Sequence, residues 1–172
     1  SHYIGHPTKK VKGVEQNTGA LGHGLPICTG MAIAAKLDKK DYKVFTLMGD
    51  GELPEGSNWE AALSASHYKL DNLCAIVDKN NLQITAPTAD VMNTDPLDEK
   101  WKAFGWALKE VNGNDIDELK AAFAALPFEK GKSIQFTKTC FPKNLSFDPL
   151  KTLSSSVTIL STVSIGSAVF HT

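Results

Sequence analysis

Two short runs of β-prone, mostly apolar residues, each closed by a polar turn, constrain the fold of this chain more than any other feature. The first run, VFTLM (44–48), ends in GDG (49–51), and the second run, LCAIV (73–77), ends in DKNN (78–81). Residues 56–69, between them, carry apolar and small side chains at spacings of three and four, which favours a helix packed on one face. A strand, a helix and a second strand with such apolar content are typical of a βαβ unit in a parallel sheet.

The same alternation continues along the chain. The expected helices span 24–36, 97–105 and 116–126, and the expected strands span 107–111 and 134–137. Asn114 or Asp115 is expected to cap the last of these helices. The sequence therefore predicts an α/β fold, a three-layer doubly wound parallel sheet with helices on both faces.

Composition excludes several classes of function. The formal net charge is −1, which leaves no basic surface for nucleic acid or for an anionic membrane. All 18 basic residues are lysines, so a phosphate must be held by backbone amides, lysines, a metal ion or another chain rather than by arginine. Three scattered cysteines without metal-ligand spacing indicate core thiols in a reducing compartment, and we expect the protein to be cytoplasmic.

The composition changes near residue 138. The charged residues beyond that point are Lys143, Asp148 and Lys151. Residues 152–170 carry no charge but nine serines or threonines, which argues against a membrane span. We divide the chain into a folded domain, 1–138, and a divergent Ser/Thr-rich tail, 139–172, for which an edge strand, disorder or non-native sequence are all open interpretations. Residues 1–7 show neither an initiator Met nor a signal pattern, so we expect a chain cut from a longer protein.

The two polar turns form the candidate ligand site. Ligands of open parallel sheets bind at the carboxyl ends of the strands, and both turns lie at such ends. Asp50 lies between two glycines, and Asn80 follows thirty residues later, at the end of the next strand. A carboxylate, an amide oxygen and a main-chain carbonyl just beyond Asn80 are hard oxygen ligands, which Mg²⁺ prefers together with phosphate oxygens. The pair of turns predicts a Mg²⁺–diphosphate site.

GDG (49–51) followed by NN (80–81) resembles the thiamine-diphosphate motif, and the surrounding sequence resembles the transketolases, most closely the N-terminal subunit of bacterial split transketolases. The matching stretches are 5–25, 30–84 and 101–119. The resemblance covers about residues 3–138. It implies the diphosphate-binding domain of the thiamine-diphosphate-binding fold, with thiamine diphosphate and Mg²⁺, or another divalent cation such as Ca²⁺ or Mn²⁺, as cofactors.

The resemblance also implies roles for individual residues. The metal ligands would be the side chains of Asp50 and Asn80 and the main-chain carbonyl of Leu82. Gly49 belongs to the same cofactor motif, and the amide of Gly51 would contact the diphosphate.

Residues outside the two turns are implicated in the same way. Gly19 and Leu21 would line the thiazolium and aminopyrimidine rings, and His6 would contact the sugar hydroxyls near the reacting carbon. Glu55 and Glu60 resemble the acidic residues that connect the two cofactor sites of a dimer; helix capping is the structural alternative for both.

The chain departs from the family pattern at Ala20, where the family has proline, and at His23, where it has glutamine. Further family site residues have no counterpart in this sequence, and the glutamate that activates the cofactor belongs to a second domain. The resemblance therefore implies a C-terminal partner subunit with a pyrimidine-binding domain, in a dimer of heterodimers. We expect the isolated chain to be inactive.

The function implied is transfer of a two-carbon ketol unit from a ketose phosphate to an aldose phosphate, a step of the pentose phosphate pathway. Two alternatives stay open. One is another thiamine-diphosphate enzyme, such as deoxyxylulose-phosphate synthase or a 2-oxo-acid dehydrogenase component. The other is a non-catalytic fragment that keeps the fold without the activity.

Overall fold

The computed structural model describes residues 5–84, 86–139 and 168–170. Its helices are α1 (Gly24–Leu37), α2 (Gly56–His67), α3 (Thr88–Val91), α4 (Leu97–Ala103) and α5 (Ile116–Ala124), and Asp50–Glu52 form a 3₁₀ turn. Its strands are β1 (Lys43–Gly49), β2 (Leu73–Lys79), β3 (Leu82–Gln83), β4 (Ala86–Pro87), β5 (Ala107–Asn112), β6 (Ile134–Thr139) and β7 (Ala168–Phe170).

The main sheet has the strand order β5-β6-β2-β1-β7. β5, β6, β2 and β1 pair in parallel, as predicted, whereas the edge strand β7 runs antiparallel to β1. The register of β1 and β2 places Gly49 opposite Asp78, so the two polar turns leave the sheet at the same edge. A small antiparallel hairpin, β3–β4, follows the second turn.

Strand β2 shows why the fold has three layers. Leu73, Ala75 and Val77 belong to one core cluster, with buried residues of α1, α2 and α4. Cys74 belongs to a second cluster with α5, and Ile76 packs against that cluster. Because successive side chains of a strand point to opposite faces, a continuous apolar run buries both faces of the sheet. The three-layer, doubly wound α/β fold predicted from the sequence is therefore confirmed.

The helices begin close to their predicted positions. The side chain of Asp115, one of the two expected caps, accepts hydrogen bonds from the main-chain amides of Asp117 and Glu118 at the start of α5. After α4 the chain turns at Gly105, which has a φ of +87°. This turn brings the indole N–H of Trp106 within 2.9 Å of the Ala62 carbonyl oxygen in α2.

The tail predicted over 139–172 falls mostly on residues 140–167 and 171–172, which lie outside the described residues. Its described part includes β7, which pairs with β1 at the edge of the sheet. The domain boundary at residue 138 stays a prediction. Among the helices in the described ranges, none combines the length and the apolar character needed to cross a bilayer.

Candidate functional site

The two polar turns meet through Asp50. Its side chain is 1% exposed, and its Oδ2 atom accepts a 2.8 Å hydrogen bond from the main-chain amide of Asn81. The contact joins residues 31 positions apart, at the edge where Gly49 and Asp78 pair. The structure thus brings together the two turns from which the sequence predicted a metal site.

The oxygen atoms expected to bind a metal lie around this contact. A Cβ atom added to Gly51 would lie 2.9 Å from the carbonyl oxygen of Leu82, so only glycine allows this approach. Asn80 Oδ1 accepts a 2.9 Å hydrogen bond from the amide of Leu82. Asp50 Oδ1 is buried and has no hydrogen-bond partner among the described residues.

This donor set fits a hard divalent cation. A buried carboxylate oxygen without a partner is costly, and a cation bound there would compensate it. The described residues contain no group of three or more His, Cys, Asp or Glu side chains able to hold a metal. A cation at this edge would therefore depend on the mixed set of carboxylate, amide and carbonyl oxygens on Asp50, Asn80 and Leu82, which suits Mg²⁺.

Burial raises the pKa of Asp50 above its ordinary value. The main-chain amides of Asn81, Asn80 and Gly51 act in the opposite direction, and the nearby charge of Asp78 raises the pKa further. Without a counter-charge, the ionised form of Asp50 is thus disfavoured by its surroundings. A divalent cation would reverse that balance.

Glu52 is a buried carboxylic acid of this site that the sequence reasoning missed. It is 4% exposed, and burial raises its pKa to about 7. The main-chain amide of Gly49 acts in the opposite direction, and the charge of Glu55 raises the pKa further. The available signal was its position three residues after Gly49, where glutamate of a capping box reaches back to the N-cap amide. Gly49 is the N-cap of the 3₁₀ turn.

The loop that contains Gly19 and Leu21 rests on the start of α2. Ser57 Oγ donates a 2.7 Å hydrogen bond to the carbonyl of Gly22, whose φ is +74°. A Cβ atom on Gly22 would overlap the side chain of Glu55, so this glycine is needed for the close approach. Gly19 is exposed with open space around its Cα, and Leu21 is 44% exposed, so both are accessible to a ligand.

His6 lies in a segment attached to the same loop. The carbonyl oxygen of Pro7 accepts hydrogen bonds from the amide (3.0 Å) and the hydroxyl (2.9 Å) of Thr18, the residue before Gly19. The side chain of His6 is exposed. The twelve residues between His6 and Gly19 thus form a closed loop that holds the two near each other, and the role of His6 stays a prediction.

Glu55 and Glu60 are both exposed. Glu55 is the N-cap residue of α2, yet its side chain makes no capping hydrogen bond; it packs instead against Gly22. Within the described ranges, no hydrogen bond or ion pair joins the Glu60 carboxylate to the polar turns. The structure links Glu55 to the loop of Gly19, and the predicted role of both glutamates at a dimer contact stays a prediction.

Residues 1–140 match the model of the family described as "Transketolase, thiamine diphosphate binding domain". The chain belongs to the transketolase family. It is similar to one subunit of an apulose-4-phosphate transketolase from Phocaeicola vulgatus, with 51% identity over 74% of this chain and 46% of the relative. The corresponding subunit from Actinobacillus succinogenes is 62% identical over 65% of this chain and 41% of that protein.

A 6-deoxy-6-sulfo-D-fructose transketolase subunit from a Clostridium species is 36% identical over 85% of this transketolase-family chain and 54% of the relative. Among solved structures, a transketolase from Leishmania mexicana matches with a TM-score of 0.67 and 31% identity, over 76% of this chain and 21% of that one. The chain spans about half the length of the curated relatives it matches. These relatives are all named as transketolases or as subunits of transketolases.

Proposed function

We propose that the chain is the cofactor-anchoring section of a split transketolase, and that it holds thiamine diphosphate and Mg²⁺ for transfer of a two-carbon ketol unit from a ketose phosphate to an aldose phosphate. One observation carries the proposal. The buried Asp50 carboxylate is held by the Asn81 amide through Oδ2, while its Oδ1 has no partner in the described part of the chain. A family match over residues 1–140 supports this assignment.

Thiamine diphosphate, when bound, supplies the nucleophilic carbon of the reaction, and the protein binds and orients it. Asp50, Asn80 and the Leu82 carbonyl would hold the metal ion. The amide of Gly51 would face the diphosphate, where a side chain would block the close approach to Leu82. Because the chain has no arginine, the diphosphate charge would be balanced by the metal ion and by main-chain amides.

A partner subunit would complete the site. The relatives from Phocaeicola vulgatus and Actinobacillus succinogenes are each named as one subunit of a transketolase, and this chain covers about half their length. Large apolar side chains are exposed on the loop that contains Gly19 and Leu21, on the β3–β4 hairpin and at α3. They are Leu21, Leu82, Ile84, Val91 and Met92. We propose that a pyrimidine-binding subunit covers this surface in a cytoplasmic dimer of heterodimers. The buried thiols of Cys28 and Cys74 are compatible with a reducing compartment.

The substrate proposal follows from the names of the relatives. Two of them are named for apulose 4-phosphate and a third for a 6-deoxy-6-sulfo sugar. We therefore propose a ketose with a terminal anionic group as the donor. His6, on its closed loop next to Gly19, would contact the hydroxyls of that sugar.

Calorimetric titration of the chain with thiamine diphosphate, with and without Mg²⁺, tests the proposal. We expect binding that requires Mg²⁺ and is lost in Asp50→Ala. Asp98→Ala is the matched control, because it also removes an aspartate but lies on α4, outside the two polar turns. Lack of Mg²⁺-dependent binding, both by the chain alone and with a cognate C-terminal subunit, would contradict the proposed function.

A further inference from the structure

Residues 80–94 leave the main sheet at the end of β2 and lead to the loop before α4. They contain the second polar turn, the β3–β4 hairpin and α3, and we call them the site segment. Strands β3 and β4 pair with each other in a sheet of their own. Asn80 and Leu82, two of the three residues proposed to hold the cation, therefore depend on contacts other than the main-sheet ladder for their position.

The two ends of the site segment are joined by an ion pair. Lys79, the last residue of β2, lies with its Nζ atom 2.6 Å from Oδ1 of Asp95, the first residue after the segment. The Lys79 side chain is 24% exposed, so the pair is partly shielded from solvent and from salt. It closes a loop around the fifteen residues of the site segment.

Asp95 is a fixed partner for this pair because its main chain is tied to α4. Lys100, in α4, donates from Nζ to the carbonyl oxygens of Thr94 (2.5 Å) and Asp95 (3.5 Å). Thr94 is 8% exposed, and α4 packs into the core through the fully buried Trp101. Lys79 is fixed in its turn by its place in β2. An ion pair between two such anchors determines where the site segment begins and ends.

The backbone of the site segment needs outside support. Asn81 and Ile84 have φ angles of +59° and +56°, in the left-handed region that is costly for isoleucine in particular. The Asn81 amide donates to Asp50 (2.8 Å), and the Asn81 carbonyl oxygen accepts a 2.9 Å hydrogen bond from the Thr88 amide. Backbone of this kind persists only where the surrounding contacts hold it. A contact that closes the segment at its ends contributes to that support.

We propose that Lys79 and Asp95 are positioning residues, whose ion pair closes the site segment and thereby holds Asn80 and Leu82 in place for the cation before it binds. The identity of the ligand rests on the proposed function. Because the segment is already ordered, less conformational entropy is lost on binding. In this role neither side chain touches the cation or the substrate. The alternative is that each charge acts on the ligand directly through its electrostatic field.

Three variants separate the pairing from the individual charges. Lys79→Met and Asp95→Ala each break the ion pair, and the double variant removes both partners. The matched controls are Lys36→Met and Asp71→Ala, because Lys36 and Asp71 form an ion pair with the same 2.6 Å distance. That pair joins α1 to the connection between α2 and β2, away from the two polar turns. Circular dichroism establishes that each variant is folded.

The first measurement is hydrogen exchange of the Asn81 and Thr88 amides, by NMR, in the metal-free chain. Both amides donate hydrogen bonds that hold the site segment. We expect exchange to be about threefold or more faster in Lys79→Met and Asp95→Ala than in the native protein, a moderate effect typical of a partly exposed ion pair. The two control variants should leave the exchange of both amides unchanged.

The second measurement is the Kd for thiamine diphosphate in the presence of Mg²⁺, with the C-terminal subunit present if the chain needs it. We expect the Kd to rise about threefold or more in each single variant, because a smaller fraction of the chain then has an ordered site segment. The double variant should bind no more weakly than the weaker single variant, since the same contact is lost in all three. The controls should keep the Kd of the native protein.

Direct action of the charges predicts a different pattern, because the two removed charges have opposite signs. Shifts of the Kd in opposite directions in Lys79→Met and Asp95→Ala, or effects that add in the double variant, would overturn the proposal. Unchanged exchange of the Asn81 and Thr88 amides would overturn it as well, and so would faster exchange with an unchanged Kd. If the native protein binds no thiamine diphosphate, the proposed function fails, and the exchange data still decide whether the ion pair holds the site segment.

Discussion

Replacing Glu52 by glutamine is expected to change how the stability of the metal-free chain depends on pH. Burial raises the pKa of Glu52 from 4.5 to about 7, so the folded protein retains a proton that the unfolded chain has lost. Stability from this group is complete below pH 4.5 and declines as the pH rises through about 7. At about 1.36 kcal/mol per pH unit, the total loss is about 3 kcal/mol.

Urea unfolding in EDTA, followed by tryptophan fluorescence, measures this effect at pH 5 and pH 8. From pH 5 to pH 8, the free energy of unfolding of the native chain is expected to fall by about 2 to 3 kcal/mol more than that of Glu52→Gln. Glu99→Gln, at an exposed position, is the control and should follow the native protein. If the native chain and Glu52→Gln show parallel stability profiles, Glu52 ionises normally in the folded state and the reasoning from its burial is wrong.

Three further predictions concern a glycine, a cap and an indole. Gly51→Ala is expected to weaken Mg²⁺-dependent binding of thiamine diphosphate at least tenfold by calorimetry, because the added Cβ would lie 2.9 Å from the Leu82 carbonyl; unchanged affinity would refute this. Asp115→Ala removes the acceptor that caps α5 and is expected to cost about 1 kcal/mol in urea unfolding, whereas Asp115→Asn should restore most of it. Trp106→Phe removes the indole N–H that donates a 2.9 Å hydrogen bond to the Ala62 carbonyl oxygen. We expect the free energy of unfolding to fall by about 1–3 kcal/mol, and a loss smaller than the one caused by Ala62→Gly would argue against the bond.

The parts of the fold that the sequence predicts are those fixed by local pattern and by parallel pairing. LCAIV (73–77) has to be buried on both faces, and the structure divides its side chains between two core clusters. The meeting of Asp50 with the Asn80–Asn81 turn follows in the same way, since adjacent parallel strands end at one edge of the sheet.

The parts that the sequence could not predict depend on contacts between distant or irregular segments. Glu52 lies in a three-residue 3₁₀ turn, which is too short to show a periodic pattern. Glu55, three positions later, is the same residue type, so the sequence does not distinguish a buried glutamate from an exposed one. Burial separates them, because Glu52 is 4% exposed and Glu55 is exposed. The antiparallel pairing of β7 with β1 joins residues more than 120 positions apart, and no local pattern encodes that direction.

The pairing of Gly49 with Asp78 makes the size of the cation site independent of the number of residues between the two turns. Strand register is set by backbone hydrogen bonds and by the fit of side chains in the core, and a slip by one residue would move every side chain to the other face of the sheet. The connection between α2 and β2, residues 68–72, lies at the opposite edge of the sheet and is held there by its own contacts, since Leu70 is buried in the core and Asp71 accepts a hydrogen bond from the Gly131 amide. A change in the length of this connection would therefore cost stability in the core, while Asp50 and Asn80 would keep their separation in space.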